Sequence, residues 1–218
     1  NASVIDGPIL PDSFAYNPDL KKYDYNVAQA EKLLDESGWQ KVSLSAAEAE
    51  KAPNISAEEA EKDANLALQR DLAAHASSSS LELAGNWRVK NPKTKGASRQ
   101  YLTINLTVVD SADNLKVATE IKNFWEAIGI KTDIKLVAAT AAENDVIKSR
   151  NFEVLLFSQL LGGDPDVYVF WHSSQAGEGG TNLADYRNKD VDALLESGRI
   201  ATDLSQRTEK YKKFQEIL

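Results

Sequence analysis

The sequence predicts an α/β fold in which a mainly parallel sheet is flanked by helices, and successive segments carry this prediction. Residues 101–109, YLTINLTVV, alternate between apolar and polar side chains, which is typical of a strand. Residues 113–128 predict a helix, because their apolar side chains fall on one face of it, and Gly129 is placed to end that helix. IKTDIKLV predicts a second strand and, after the short helix AAENDVIKSR, EVLLFSQ predicts a third, buried one. Such alternation over short connections favours parallel strands joined by right-handed crossovers.

The N-terminal part predicts an irregular stretch followed by a helix. Residues 1–23 contain three prolines and no clean period, so we expect no regular element there. The segment NVAQAEKLLDESGW predicts the first helix. Asn26 lies three residues before a glutamine, as in a capping box, and Gly38 lies where a helix ends in a left-handed residue. We expect Trp39 to fold back on Leu34 beyond that glycine.

Residues 43–84 differ in composition from the rest of the chain, and we interpret them as two helices followed by a linker. They are rich in alanine and glutamate, and two capping-box patterns predict helices at about 45–51 and 56–75. The serines at 77–80 predict a flexible linker. An apolar face made mostly of alanine buries little area, so a surface excursion is favoured over a functional arm.

The C-terminal part predicts two amphipathic helices. The first is NKDVDALLESGRIA, which begins at Asn188, and the second is TDLSQRTEKYKKFQEIL, which ends at Leu218. We expect the core face of the second helix to rest on Tyr211, Phe214 and Ile217.

Composition and charge exclude several classes of function. The 218 residues carry a formal net charge of −8, which opposes binding to nucleic acid because phosphate contacts need a basic surface. No cluster of basic residues suits an anionic membrane surface. The chain has no cysteine for a disulfide or a thiolate metal site, and His75 and His172 lack ligand spacing. We therefore expect neither a metal nor a cofactor.

The segment GGDPDVYVFWHSS, residues 162–174, follows the third predicted strand and is the candidate site. Ligands of open α/β sheets bind beyond the carboxyl ends of the strands. Asp164 and Pro165 are typical of a helix start, with the aspartate as cap and the proline as first helical residue. A ligand contact is the alternative for Asp164. Gly162 and Gly163 permit unusual backbone angles or the close approach of a ligand.

The same segment contains three aromatic residues, and two serines beside a histidine. Tyr168, Phe170 and Trp171 cannot all face the core from one side of a helix, so either one lines a cleft or all are packed. His172 directly precedes both serines, but neighbours in sequence seldom face each other productively. The chain lacks the G-x-S-x-G nucleophile elbow and the glycine patterns of a P-loop or a dinucleotide site. A small α/β hydrolase is kept as an alternative.

Two stretches match the motifs of one family in order and spacing. YDYNVAQAEKLLDESGW carries the pattern Y-D-x-x-x-A-x-x-L-L-x-x-x-G-W. The stretch from GGDPD to the last residue carries a D-P-D corner, S-S after a short helix, G-x-N before Tyr186, Asn188, V-D-x-L-L and R-x-x-x-Y-x-x-x-Q-x-I-L. The chain resembles the extracellular solute-binding proteins of family 5, the peptide, nickel and related binding components of ABC importers. It departs from that family in the insertion after G-W.

The resemblance implies two lobes that close around a solute bound between them. Only the C-terminal lobe matches, so residues 1–218 are expected to be a single C-terminal lobe of a type II periplasmic-binding-protein-like fold. The chain would then be a fragment of a longer protein, with the helical insertion at about 43–84. The ligand-binding residues that we expect on the cleft wall are Gln159, Leu160, Leu161, Gly162, Gly163, Asp164, Asp166, Trp171 and Asn182.

The resemblance also implies a function and partners. We do not expect the protein to be an enzyme. We expect it to be the substrate-binding component of an ABC importer, which captures an oligopeptide or related small solute and delivers it to the permease subunits. The expected location is extracytoplasmic, in a periplasm or on the cell surface as a lipoprotein. Membrane contact would come only through a lipid anchor of the full-length protein, and the protein is expected to be a monomer that binds no nucleic acid. The ligand-sensing domain of a regulator is the alternative.

One position departs from the peptide-binding members of that family. In those proteins, an aspartate four residues before the corner proline typically pairs with the α-amino group of the peptide. Leu161 occupies this position here, and an ammonium buried without a partner costs several kcal/mol. We therefore expect a ligand without that amine, or an acid of the other lobe in place of the aspartate.

Overall fold

The computed structural model describes residues 4–43, 86–90 and 99–218. The chain divides into two compact units: unit 1 comprises residues 1–25, 139–151 and 157–218, and unit 2 comprises residues 26–138 and 152–156. The helices predicted at about 45–51 and 56–75, and the serine linker at 77–80, lie outside the described residues. No described helix is both long enough and apolar enough to cross a membrane.

The described part of unit 2 contains two helices and six strands. The helices are α1 (Val27–Glu36) and α2 (Ala112–Ala127). The strands are β1 (Gln40–Ser43), β2 (Asn86–Lys90), β3 (Gln100–Tyr101), β4 (Thr103–Val109), β5 (Lys131–Val137) and β6 (Val154–Leu156). Strand β4 is the centre of a three-stranded parallel sheet in the order β5–β4–β6, and β1, β2 and β3 form a three-stranded antiparallel sheet.

The parallel sheet and the helix packed on it confirm the predicted α/β fold. Leu106 of β4 pairs with Ile134 of β5 and with Val154 of β6. Leu106 and Val108 are buried in one cluster with Ala118 of α2. The third strand is shorter and less buried than predicted. Only Val154–Leu156 form β6, all three are half-buried, and the residues that follow are exposed.

The predicted ends of α1 are confirmed in detail. The side chain of Asn26 accepts a hydrogen bond from the N–H of Gln29 and so caps the helix. Gly38 has a φ of +86°, and the N–H of Trp39 donates to the carbonyl of Leu34 at 2.9 Å. This is the bond pattern of a Schellman end. Helix α2 ends in the same way, at a glycine whose φ is +88°.

A buried arginine of β2 is a feature of unit 2 that the sequence analysis missed. Arg88 is 1% exposed. Its Nε donates to the carbonyl of Ile128 at 2.8 Å, and its Nη1 donates to the carbonyl of Trp39 at 3.1 Å and to the carboxylate of Asp35. These acceptors lie at or just beyond the ends of α1 and α2, so Arg88 ties both helix ends to the antiparallel sheet.

Unit 1 contains four helices among its described residues. They are α3 (Ala139–Ala142), α4 (Tyr168–Trp171), α5 (Lys189–Ile200) and α6 (Leu204–Ile217). Helix α3 continues as a wider π-helical turn over Glu143–Lys148, and a 3₁₀ turn covers Ser173–Gln175. Residues 4–25 form no helix or strand, as the sequence predicts.

The core of unit 1 joins α5 and α6 to the irregular N-terminal stretch. Its buried apolar residues are Ile9, Ala15, Val167, Val191, Leu195, Tyr211 and Phe214. The predicted core face of α6 is wrong at one position, since Ile217 is 43% exposed. Gln215 is buried instead, because its side-chain amide donates to the carbonyls of Ala15 at 2.8 Å and of Tyr211 at 2.9 Å.

Candidate functional site

The stretch between β6 and α4, residues 157–167, is called the corner below, and it is shaped by two side-chain turns. Oδ1 of Asp164 accepts a hydrogen bond from the N–H of Asp166 at 2.9 Å, and Oδ1 of Asp166 accepts one from the N–H of Tyr168 at 3.2 Å. These are two Asx turns in succession. The prediction that Asp164 caps a helix whose first residue is Pro165 is therefore wrong, because these turns hold the backbone off the helical path until Tyr168.

Each of these carboxylates is also paired with an arginine. Nη2 of Arg207 lies 2.6 Å from Oδ1 of Asp164, and Nε of Arg199 lies 2.8 Å from Oδ2 of Asp166. The hydrogen bond from Arg207 lowers the pKa of Asp164, and the same bond raises the pKa of Arg207. Both corner carboxylates are thus neutralised by a neighbouring arginine of α5 or α6.

A small cavity, called the corner cavity below, opens beside these residues. It has a volume of about 160 Å³, and its walls come from within residues 8–13 and 161–167. Four of the predicted ligand-binding residues line it together: Leu161, Gly162, Gly163 and Asp164. The wall at residues 8–13 escaped the sequence analysis, because an irregular stretch has no period from which its position could be predicted.

Gly162 and Gly163 leave open space beside the backbone, and neither is needed to avoid a steric clash. A Cβ atom built on Gly163 would meet no atom within 4 Å, and one built on Gly162 would lie 4.0 Å from the backbone nitrogen of Asp164. Gly180 is a contrasting case, since a Cβ atom there would lie 2.1 Å from the carbonyl oxygen of Gln175. Packing therefore requires a glycine at position 180 but not at positions 162 and 163, where the missing side chains keep the cavity open.

The other five predicted residues, which include Asp166, do not line the corner cavity. Gln159 and Leu160 are exposed, Leu160 by 99%. Trp171 lines a larger groove of about 670 Å³, whose other walls come from within residues 5–8, 19–23 and 215–218. Pro8 lines both the groove and the corner cavity. The three aromatic residues of α4 all pack partly against the core, and Trp171 also faces this groove.

Asn182, the last predicted ligand-binding residue, lies apart from the others. Its side chain is 0% exposed. The amide donates to the carbonyls of His172 at 3.2 Å and of Tyr186 at 2.8 Å, and its oxygen accepts the N–H of Tyr186 at 3.1 Å. All three bonds go to the backbone, so Asn182 fixes the loop before α5 and offers no atom to a solute.

Arg150 holds part of the same loop through its guanidinium group. Nη1 donates to the carbonyl of Asn182 at 2.9 Å, and Nη2 donates to the carbonyls of Gly180 at 2.7 Å and of Gly177 at 3.2 Å. The backbone of Arg150 has a φ of +55°, which is uncommon for a residue other than glycine. Three carbonyl groups on one side chain fix the path of residues 177–182.

His172 and Ser174 face each other, although the sequence analysis expected no productive contact. Nδ1 of His172 lies 2.8 Å from Oγ of Ser174, and its Nε2 lies 3.3 Å from a carboxylate oxygen of Glu196. The backbone N–H of Ser174 donates to the same Nδ1 at 3.0 Å. A neutral imidazole has one lone pair in its ring plane, and this bond uses it to cap the 3₁₀ turn. The arrangement thus stabilises the turn and leaves no free lone pair for a general base.

The arginines that neutralise the corner also escaped the sequence analysis. Arg199 and Arg207 lie in α5 and α6, and no local pattern links them to the corner. The available signal was the D-P-D motif itself, since two acids so close in sequence call for cationic partners. Among residues 4–43, 86–90 and 99–218, no three His, Asp or Glu side chains are grouped as a metal ion requires.

Comparison with known protein sequences finds a match over a limited part of the chain. No protein-family model matches it. A stretch of 58 residues is 41% identical to Protein XP55 of Streptomyces lividans, and this stretch covers 26% of the chain and 11% of that protein.

Solved structures match almost the whole chain. The oligopeptide-binding protein AppA of Bacillus subtilis, in complex with a nonapeptide, matches with a TM-score of 0.68 at 18% identity, over 99% of this chain and 34% of AppA. NikZ of Campylobacter jejuni, in complex with Ni(L-His), matches with a TM-score of 0.63 at 19% identity, over 98% of this chain and 34% of NikZ. The ABC transporter-associated periplasmic binding protein DppA of Helicobacter pylori, in complex with the peptide STSA, matches with a TM-score of 0.64 at 18% identity. The match covers 98% of this chain and 30% of DppA.

The chain spans about a third of the length of these solved structures. At such low identity the likeness concerns the fold. The chain therefore has an α/β fold, with a parallel sheet flanked by helices, that is similar to the fold of these solved binding proteins.

Proposed function

We propose that the chain is the C-terminal lobe of the substrate-binding component of an ABC importer, carried in a longer protein. The lobe supplies one wall of a cleft in which an oligopeptide or related small solute is captured and then delivered to the permease. The observation that carries this proposal is the structural likeness of almost the whole chain to binding proteins, two of which hold peptides. The open cavity at the corner, in the segment that follows strand β6 along the chain, supports it.

The corner cavity is the part of the lobe that we assign to the solute. Leu161, Gly162, Gly163 and Asp164 line it, and Gln159 and Leu160 are exposed on the same stretch of chain. Asp166 shapes the turn into α4 and pairs with Arg199. Trp171 would contact only a solute that extends into the groove beside Pro8.

The proposal includes a location and partners. The protein acts outside the cytoplasm, in a periplasm or as a cell-surface lipoprotein, and meets the permease subunits when the lobes have closed on the solute. It performs no chemistry on the solute, binds no nucleic acid and acts as a monomer. Any membrane contact comes through a lipid anchor of the full-length protein.

Calorimetry on two proteins tests this function. We expect the full-length protein to bind members of a peptide library, and the 218-residue chain to bind none of them with a submicromolar Kd. The chain lacks half of the proposed cleft, so most of the ligand surface would stay in water and few contacts would offset the cost of association. A submicromolar ligand for the chain alone would refute the two-lobe proposal, and a full-length protein that binds no solute would refute solute capture.

A second candidate, a small α/β hydrolase, would depend on the short distance between His172 and Ser174. A fluorophosphonate probe distinguishes the two, because it labels serines that a general base activates. Since the lone pair of Nδ1 caps a turn, we expect no labelling of Ser174. Stoichiometric labelling that His172→Gln abolishes would establish the hydrolase. A DNA-binding domain in the same gene would instead favour a ligand-sensing domain of a regulator.

A further inference from the structure

We propose that the corner cavity holds a hydrogen-bond-donating group of the solute, an N–H or O–H group, and that the carboxylate of Asp164 accepts the bond. This inference rests on the proposed function and names the chemistry of the part of the solute that this lobe holds. It follows from the way in which Asp164 is fixed and from the kinds of polar side chain that line the cavity.

Asp164 has one carboxylate oxygen that is occupied and one that is open. Its Oδ1 lies 2.6 Å from Nη2 of Arg207 and accepts the N–H of Asp166 at 2.9 Å. Within residues 4–43, 86–90 and 99–218, no hydrogen bond reaches its Oδ2. The two bonds to Oδ1 hold the carboxylate in place. Oδ2 is therefore an acceptor fixed before a solute arrives, on a side chain that is 59% exposed and lines the cavity.

The other polar side chains of the lining also favour a donor. They are Asp12, an exposed carboxylate, and Ser13, whose hydroxyl oxygen accepts the N–H of Ala15 at 3.3 Å. Among the described residues, no lysine, arginine, histidine, asparagine or glutamine lines the cavity. The hydroxyl of Ser13 is thus the single side-chain donor of this lining. A solute carboxylate would meet two carboxylates and no cation, and such a meeting of like charges costs free energy.

Arg207 determines how Asp164 can serve a solute. It does not line the cavity, and its guanidinium already balances the charge of Asp164. The donor therefore need not be a cation, because a hydrogen bond from an uncharged amide or hydroxyl leaves no charge without a partner. A cation would gain a further attraction from Asp12, which is weak because that residue is exposed to water. The cavity thus selects for a donor first and for positive charge second.

The backbone of the two corner glycines provides a competing anchor. In the described part of the chain, the N–H groups of Gly162 and Gly163 make no hydrogen bond. If these groups held the solute, the cavity would prefer an acceptor such as a carbonyl or a carboxylate. The carbonyl groups of both glycines are equally without a partner there, so the backbone alone favours neither kind of group. The side chains therefore decide the preference.

Small probes of one planar shape test the proposal on the 218-residue chain. Acetamide and acetamidinium donate N–H bonds, acetone and acetate only accept bonds, and one member of each pair is charged. The backbone amide NMR signals of Gly162 and Gly163 report binding. We expect acetamide to bind at least about threefold more tightly than acetone, a modest factor because the acceptor is partly exposed. Acetamidinium should bind at least as tightly as acetamide, and acetate should bind most weakly.

Asp164→Asn is the decisive variant, because it exchanges the open acceptor for a donor. The amide oxygen should stay with Arg207 and with the N–H of Asp166, since both of these groups donate, and the NH₂ group should take the place of Oδ2. We expect acetate to bind more tightly than acetamide in this variant. Asp12→Asn is the matched control. It removes the same charge from the same lining and should keep the preference for acetamide over acetone.

Any of four outcomes would overturn the proposal. They are acetone or acetate binding as tightly as acetamide to the unsubstituted chain, an unchanged order of the probes in Asp164→Asn, loss of the preference for acetamide in Asp12→Asn, and no shift of either glycine with any probe. If Asp164→Asn failed to fold, the comparison of acetamide with acetone on the unsubstituted chain would still decide. Each of these outcomes leaves the proposed function standing if the full-length protein still binds a solute in the calorimeter. Failure of that separate measurement would refute the function itself.

Discussion

Units 1 and 2 satisfy their buried polar groups in different ways. In unit 2, the parallel ladders of β4, β5 and β6 pair the backbone around Leu106 and Val108. In unit 1, buried side chains such as Gln215 and Asn182 donate to carbonyls of irregular segments, those of Ala15, His172 and Tyr186. The cavity lies among such segments, so side-chain amides there perform the role that strand pairing performs in the sheet. In unit 2, the buried side chain of Arg88 has the same role as those amides, since its Nε donates to the carbonyl of Ile128.

Substitution of Arg88 should have the largest effect. We expect Arg88→Met to lower the free energy of unfolding by about 3 kcal/mol, because the carbonyls of Ile128 and Trp39 lose a buried charged donor. Urea unfolding followed by circular dichroism measures this change. Lys116→Met is the control, since it removes the same charge from an exposed pair with Asp113 and should cost less than about 0.5 kcal/mol. Equal effects of the two variants would show that burial of Arg88 adds nothing.

Removal of a neutral side chain that hydrogen-bonds to the backbone in unit 1 should lower the free energy of unfolding less than Arg88→Met does. We expect Asn182→Ala to lower the free energy of unfolding by about 2 kcal/mol, because it leaves buried groups of His172 and Tyr186 without partners. Asn151→Ala, at an exposed position of the same unit, should change it by less than about 0.5 kcal/mol. A neutral result for Asn182→Ala would mean that the loops of unit 1 do not depend on their amides.

Tyr211→Phe should act in the opposite direction. Tyr211 is 0% exposed, and its hydroxyl makes no hydrogen bond of good geometry among the residues that the structure describes, although the guanidinium of Arg207 lies beside it. A buried unpaired hydroxyl costs free energy, so we expect a gain of about 1 kcal/mol in thermal and urea unfolding. Tyr23→Phe, at a residue that is 83% exposed, should be neutral. Destabilisation by Tyr211→Phe would reveal a partner for the hydroxyl in solution.

The smallest effect should come from the ion pair at the corner. Arg207 lowers the pKa of Asp164, so the stabilisation from this pair is present above the ordinary carboxyl pKa of about 3.9 and is lost as the pH falls through the lowered value. Arg207→Gln should raise the pKa of Asp164 towards its ordinary value, measured by NMR titration of the carboxyl carbon. The cost at pH 7 should stay below about 1 kcal/mol, because the side chain of Asp164 is 59% exposed.

A control variant isolates that ion pair. Arg187→Gln removes a cation that pairs with Asp185 in the same unit, and it should leave the titration of Asp164 unchanged. If the titration of Asp164 were the same in Arg207→Gln and in the unsubstituted chain, the two Asx turns alone would account for its environment.

The same difference between the units decides what the sequence could predict. The strand at Leu106 and the helix ends at Gly38 and Gly129 were predictable, because period and glycine conformation are local properties. The antiparallel sheet and the burial of Arg88 were not predictable, since they join segments that lie far apart along the chain. In the candidate site, Leu161 to Asp164 line the corner cavity, and their contact with a solute stays a prediction. The wall at residues 8–13 and the arginine partners were missed for lack of any local signal.

The clamp of Arg150 on three carbonyls bears on how this fold tolerates evolutionary drift. A hydrogen bond to a backbone carbonyl does not depend on the side chain of the residue that supplies the carbonyl. The sequence of residues 177–182 can therefore change while their backbone path stays fixed. Gly180 is the exception, since the carbonyl of Gln175 leaves no room for a Cβ atom. A loop anchored in this way can keep its backbone path while its sequence changes. Distant relatives of such a loop are recognised by superposing structures rather than by aligning sequences.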